Sequence, residues 1–242
     1  MKAMTKEHKE KAKAKANQKA AQPAMQSGKK VYPELKPTFR LAFLGLLTAV
    51  MFIMAFTPLG YLKTPVLSIT FMTVPVIIAA VLLRPVDSAI IGGIFGLTSF
   101  IQAVSGGSAL TGALFQLNPW LTALLCFVPR ILEGWLGGLI FRGLRSIDKT
   151  KLISYAATSL AVPLMNTLFF MSALFIFFYN TDIIKGIAEK NGADNVFTLF
   201  FAMAGVNAVL EAVICFVIGT AITKALAVVA GKAKMYKPVK GA

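Results

Sequence analysis

The sequence predicts an all-α integral membrane protein of six spanning helices, with both termini on the cytoplasmic side. Three observations carry that expectation. Of the 242 residues, 57% are hydrophobic and 14% charged, at a mean hydropathy of +0.72. The apolar residues gather into six runs, several near the roughly 20 residues that a helix rising 1.5 Å per residue needs to cross the hydrocarbon. Lysine and arginine concentrate in alternate connections, the pattern that sets orientation in short loops.

The elements follow in order. Residues 1–36 hold ten lysines against Glu7, Glu10 and Glu34, a local balance of +7, with little to bury. Like charge and low hydrophobicity favour disorder, with transient helix near Lys6–Lys19, so 1–37 is read as a basic cytoplasmic tail. It has neither the short polar lead and small-residue cleavage site of a secretory signal nor the arginine and serine of a mitochondrial presequence. The first span is Phe39–Phe56, ended by Thr57-Pro58-Leu59-Gly60. The second, Ile69–Leu83, is short and interrupted by Pro75. After the turn Arg84-Pro85-Val86-Asp87, the third runs over Ser88–Val104, followed by an uncharged loop (105–119). The fourth is Trp120–Phe141, closed by Arg142, Arg145, Lys149 and Lys151. The fifth, Leu152–Tyr179, contains Pro163, and a loop over 180–195 leads to the sixth, Val196–Val229, read as beginning with an interfacial piece. The membrane domain is thus 38–231, and 232–242 is a second basic tail. The segments 57–68, 105–119 and 180–195 carry only Lys63, Lys185 and Lys190, which places them outside. The formal charge of +15 therefore sits in tails and at helix ends, where it suits anionic lipid rather than nucleic acid.

The polar residues inside the spans are few. Arg130 and Glu133 stand in the middle of span four beside Pro129. A charge near the bilayer centre costs about 2.5–3.5 kcal/mol on insertion scales, so it turns toward the bundle interior or a water-filled cavity. Two readings stay open: a structural pair at i, i+3, or an arginine lining a ligand cavity. Arg130 is about ten residues in from the outer end of its span, and Asn166 about fourteen in from the inner end of span five. Asn207 and Glu211 share one face of span six. These four groups fall at one depth and form either a single site or separate interhelical hydrogen bonds. Asn118, Trp120 and Tyr61 would form the outer mouth, or an ordinary aromatic belt. Gln102 would point into that mouth, and Thr73 beside Pro75 is a weaker candidate.

Span one carries Ala42, Gly45 and Ala49 at i, i+3, i+7, a stripe that lets another helix approach closely. The partner is either a helix of the same chain or another protein. Several chemistries are excluded. No GxxxxGK[ST] is present, so the chain does not hydrolyse ATP by itself, and there is no HExxH or nucleophile elbow. The only histidine is His8, in the tail, which rules out a membrane-embedded Ser–His pair or a histidine metal site. Cys126 and Cys215 lie at different depths and are not expected to pair. The chain is not expected to be an enzyme.

Three stretches resemble the substrate-binding (S) component of an energy-coupling factor (ECF) vitamin transporter, most closely the pantothenate-type members. They are RLAFLGLLTA (40–49), PLGYLKTPVLSITFMTVPVIIAAVLLRPVDSAIIGGIFGLTSFIQA (58–103) and FVPRILEGWLGGLIFRGL (127–144). The resemblance implies a pocket in the outer half of the bundle that takes one vitamin from outside. It also implies a transmembrane coupling (T) protein and two cytoplasmic ATPases as partners. ATP and Mg would then be used by the ATPases, with no cofactor or metal on this chain. Ala42, Gly45 and Ala49 would be the docking face, and the bacterial plasma membrane the location. Arg130 would take the pantothenate carboxylate, and Asn166, Asn207 and Gln102 its hydroxyls and amide. Glu211 would orient Arg130 from behind. The alternatives are another vitamin (pyridoxine, riboflavin, folate or cobalamin) or a membrane scaffold without a ligand.

Overall fold

A computed structural model describes residues 34–57, 60–63, 68–148 and 152–236, with backbone only over 61–63 and 68–69. The basic tails, apart from residues 34–37 and 232–236, lie outside the described residues. The described residues belong to one unit, which is helical except for a short antiparallel pair.

α1 (Pro37–Phe56) opens on a proline, whose fixed φ and missing N–H suit the first helical turn. It stops at Thr57, which is extended (φ −122°, ψ 160°) ahead of Pro58, as a residue before proline prefers. β1 (Tyr61–Lys63) and β2 (Ser68–Thr70) pair in the register Tyr61–Thr70, Leu62–Ile69, Lys63–Ser68. α2 (Thr73–Leu82) follows. α3 (Pro85–Val104) again starts on a proline, and the Asp87 carboxylate accepts from the Arg84 N–H at 3.3 Å. After α4 (Ala109–Leu117), the Asn118 side chain accepts from Leu121 N–H at 3.1 Å and caps α5 (Pro119–Ile147). α6 (Ile153–Phe178), α7 (Asp182–Lys190) and α8 (Val196–Lys232) complete the chain. Asn195 and Thr198 cap α8 reciprocally, at 2.9 and 3.1 Å.

Five of these helices, α1, α3, α5, α6 and α8, are long and apolar enough to cross a membrane. The stretch expected as the second span is not one of them. Residues 68–70 are strand, and only ten residues are helical, about 15 Å at 1.5 Å per residue. All ten are buried, because α2 packs against α3, α5, α6 and α8. A helix apolar on every side fits the bilayer or a protein interior equally well, and only its length separates the two.

The contacts fix the relative directions. Arg40 Nε meets the Asp87 carboxylate at 2.8 Å, joining the starts of α1 and α3. Gln102 Nε2 donates to the Ala55 carbonyl at 2.7 Å, joining their ends. The two helices are therefore parallel, and residues 57–84, α2 included, make the return between them. Both ends of the helical body lie side by side: Leu35 bridges Tyr236, and Lys36 N–H donates to the Met235 carbonyl at 2.9 Å.

α3 and α5 run antiparallel in backbone contact. A Cβ added to Gly92 would fall 2.0 Å from the Arg130 carbonyl oxygen, and one on Gly134 2.3 Å from that of Ser88. Gly96 faces Cys126 and Gly138 faces Pro85 in the same way. These residues are small because nothing larger fits.

Three further differences have local causes. The uncharged loop contains α4, whose Ala- and Leu-rich run forms a helix of about two and a half turns against α3 and α5. The 180–195 loop contains α7, with Ile183, Ile184 and Ile187 on one side, Asp182 in its first turn and Lys190 in its last, complementing the helix dipole. α8 is one continuous helix of 37 residues rather than an interfacial piece followed by a span.

Candidate ligand cavity

Two apolar clusters fill the body. One surrounds α2 and includes Val162 and Cys215; the other includes Met171, Leu174, Ile184 and Ala204. On α6, Asn166 stands between Val162 and Met171. On α8, Glu211 stands between Ala204 and Cys215. The polar groups thus occupy the gap between the clusters, where a cavity of about 170 Å³ opens.

Arg130 enters this gap from α5. The residue before it, Pro129, has no N–H to donate to the carbonyl four residues back, that of Leu125. Arg130 Nη1 donates to that carbonyl instead, at 2.9 Å. The side chain therefore turns along its own helix, with its position set by the proline beside it. Its guanidinium lies 4.3 Å from the centroid of the Phe170 ring and 5.4 Å from that of Phe95. Aromatic faces within about 6 Å attract a cation without using its N–H groups.

Glu211 faces the same cavity from α8 and is 7% exposed. Thr73, the first residue of α2, donates its hydroxyl to Glu211 Oε1 at 3.5 Å and meets Cys215 Sγ at 3.2 Å. Asn166 and Asn207 line the cavity, and the Oδ1 atom of each is buried without a hydrogen-bond partner among the described residues. Glu133, one turn after Arg130, is fully buried and is not among the residues that line the cavity.

Arg130, Asn166, Asn207 and Glu211 are thus brought to one cavity, and Thr73 reaches it through Glu211. The other expected residues lie elsewhere. Gln102 holds the end of α1, Asn118 caps α5, and Trp120 is 84% exposed at the start of α5. The Tyr61 side chain lies outside the described residues. The rest of the lining is Thr167, Phe170, Met171, Met203, Ala204 and Ala208. Sequence reasoning missed these, although two were within its reach. Phe170 stands one turn after Asn166, and Met203 one turn before Asn207, on the faces that the asparagines define.

The small-residue stripe of α1 is uncovered. Ala42, Gly45 and Ala49 are exposed, and a Cβ built on Gly45 meets nothing within 4 Å. Leu47, Met51 and Ala55, on the opposite side, are the buried residues of this helix. No described helix of this chain covers the stripe.

A family model, the ECF transporter substrate-specific component, matches residues 39–223. No curated protein matches the chain.

Proposed function

Because the chain belongs to the substrate-specific component family of ECF transporters, we propose that its ligand is pantothenate, bound in the cavity of Arg130, Asn166, Asn207 and Glu211. A component of this kind is a transporter subunit, not an enzyme, and works in a complex with a transmembrane T protein and ATPases. Both termini face the cytoplasm of a bacterial cell, and the ligand enters from outside. The two partner ATPases supply ATP and Mg, and this chain needs no cofactor or metal of its own.

The observation that carries the reading is the convergence of one arginine and three hydrogen-bonding side chains, from three helices, on one buried cavity. Pantothenate has the matching groups: a carboxylate for the guanidinium, and two hydroxyls and an amide for the others. A charge-assisted pair in a desolvated site is about twice as strong as a neutral hydrogen bond. The exposed stripe Ala42, Gly45 and Ala49 is the face for the T protein. Its lack of side-chain bulk lets a partner helix approach closely.

The test is the melting temperature of the detergent-purified chain against a panel of B vitamins. A ligand at 1,000 times its dissociation constant adds about 4 kcal/mol to stability if it binds only the folded state. A shift with pantothenate alone is expected. A shift with a different vitamin would replace the substrate, and a flavin would also colour the protein yellow. No shift with any vitamin would favour a scaffold without a ligand.

A further inference from the structure

The cavity offers more acceptors than a simple anion can use. Among the described lining residues Arg130 is the one cation, whereas four side chains carry oxygens: the Thr167 hydroxyl, Asn166 Oδ1, Asn207 Oδ1 and the Glu211 carboxylate. The two amide oxygens are buried and lack partners among the described residues, and Asn166 is only 7% exposed. A buried acceptor left unpaired is costly, and the cost is removed only when something donates to it. Glu211 already accepts from Thr73, but a carboxylate has about four lone-pair sites, so it retains capacity toward the cavity. A ligand carboxylate pairs best with the cationic Arg130, so that end of a ligand belongs at Arg130 and its other end at Glu211.

We infer that Glu211, with Asn166 and Asn207, determines specificity by accepting hydrogen bonds from a ligand with at least two O–H or N–H donors remote from its carboxylate. The inference rests on the cavity being the ligand site. It differs from a role for Glu211 behind Arg130, because here the carboxylate touches the ligand itself. Thr73 is a positioning residue, acting through its bond to Glu211. The substrate class is a donor-rich acid, a hydroxy-acid amide being one example. A planar acid without donors, such as nicotinate, is rejected even though its carboxylate suits Arg130.

The experiment is calorimetric titration of the full chain in detergent with three probes: pantothenate, its analogue lacking both hydroxyls, and nicotinate. Sites built to hydrogen-bond a hydroxyl discriminate strongly against ligands without it. The analogue is expected to bind about 100-fold more weakly or worse, and nicotinate not at all. Glu211→Gln, which exchanges one acceptor oxygen for a donor, should narrow the ratio between pantothenate and the analogue by about tenfold. Thr73→Val should narrow it in the same direction and Thr73→Ser restore it, whereas a purely structural threonine would leave the ratio unchanged. Equal binding of pantothenate and the analogue, or binding of nicotinate, overturns the acceptor assignment and leaves the cavity as a ligand site. Binding of none of the three, with no response to any vitamin in the melting panel, overturns both.

Discussion

Where α3 meets α5, small residues let two backbones touch; along α1, residues of the same size stand in the open. Gly92 sits against the Arg130 carbonyl, where an added Cβ has 2.0 Å, whereas an added Cβ on Gly45 meets nothing. Composition does not distinguish the two helices, since both are apolar runs with small residues spaced by turns. What separates them is the polar content of the partner helix. α5 carries Arg130 and Glu133, which must face inward, and this fixes the side on which α3 packs. α1 has no comparable group in its middle, and its ties are at its ends, Arg40 to Asp87 and Gln102 to the Ala55 carbonyl. The interior pair holds Arg130 at the cavity, and no described helix covers the bare face of α1.

The same substitution in both places probes that contrast most directly. Gly92→Leu should have the largest effect, removing the folded protein, because a side chain there must push apart two backbones. Overpacking a close contact costs about 1–3 kcal/mol or more. The measurement is the yield of monodisperse protein after detergent extraction, and a normal yield with normal vitamin binding would break the account of the helix pair. Arg130→Ala comes next. It should leave a monomer that still extracts but weaken pantothenate binding about 100-fold or more, near 2.8 kcal/mol at 1.4 kcal/mol per decade. Unchanged affinity would move the ligand out of the cavity. Gly45→Leu should have the smallest effect on the purified chain. Its melting temperature and affinity should stay within error of the parent, while uptake by cells containing the complete transporter falls at least tenfold. Intact uptake would mean that the bare face is not the docking surface.

Much of this arrangement was legible in the sequence, for one reason. In an apolar chain each internal polar residue is conspicuous, and counting residues from span ends places it in depth. Arg130, Asn166, Asn207 and Glu211 were found that way. The apolar part of the lining was not, because Phe170 and Met203 are the same residue types that face lipid elsewhere, and no charge marks their side of the helix. The short length of α2 was not legible for a related reason, since burial by protein and burial by lipid select the same composition. α7 was missed because its charges read as a loop, although its isoleucines recur at helical spacing. Gln102 was placed by depth alone, and depth gives no direction: its amide turns to the end of α1 rather than to the cavity. The uncovered state of the α1 stripe needed the fold itself, because spacing alone suits an internal or an external partner.

The glycine contact between α3 and α5 also bears on how the protein transmits motion. Two helices seated backbone on backbone have few side chains between them to rearrange, so they shift together as a single beam. Arg130 is mounted on that beam, and Asp87 at the foot of α3 fastens α1 to it through Arg40. α1 is thus tied to the helix pair that carries the guanidinium, with the short α2 packed against all three helices. If the T protein docks on the bare face as proposed, its load is carried toward the proposed ligand cavity, although the two share no residue.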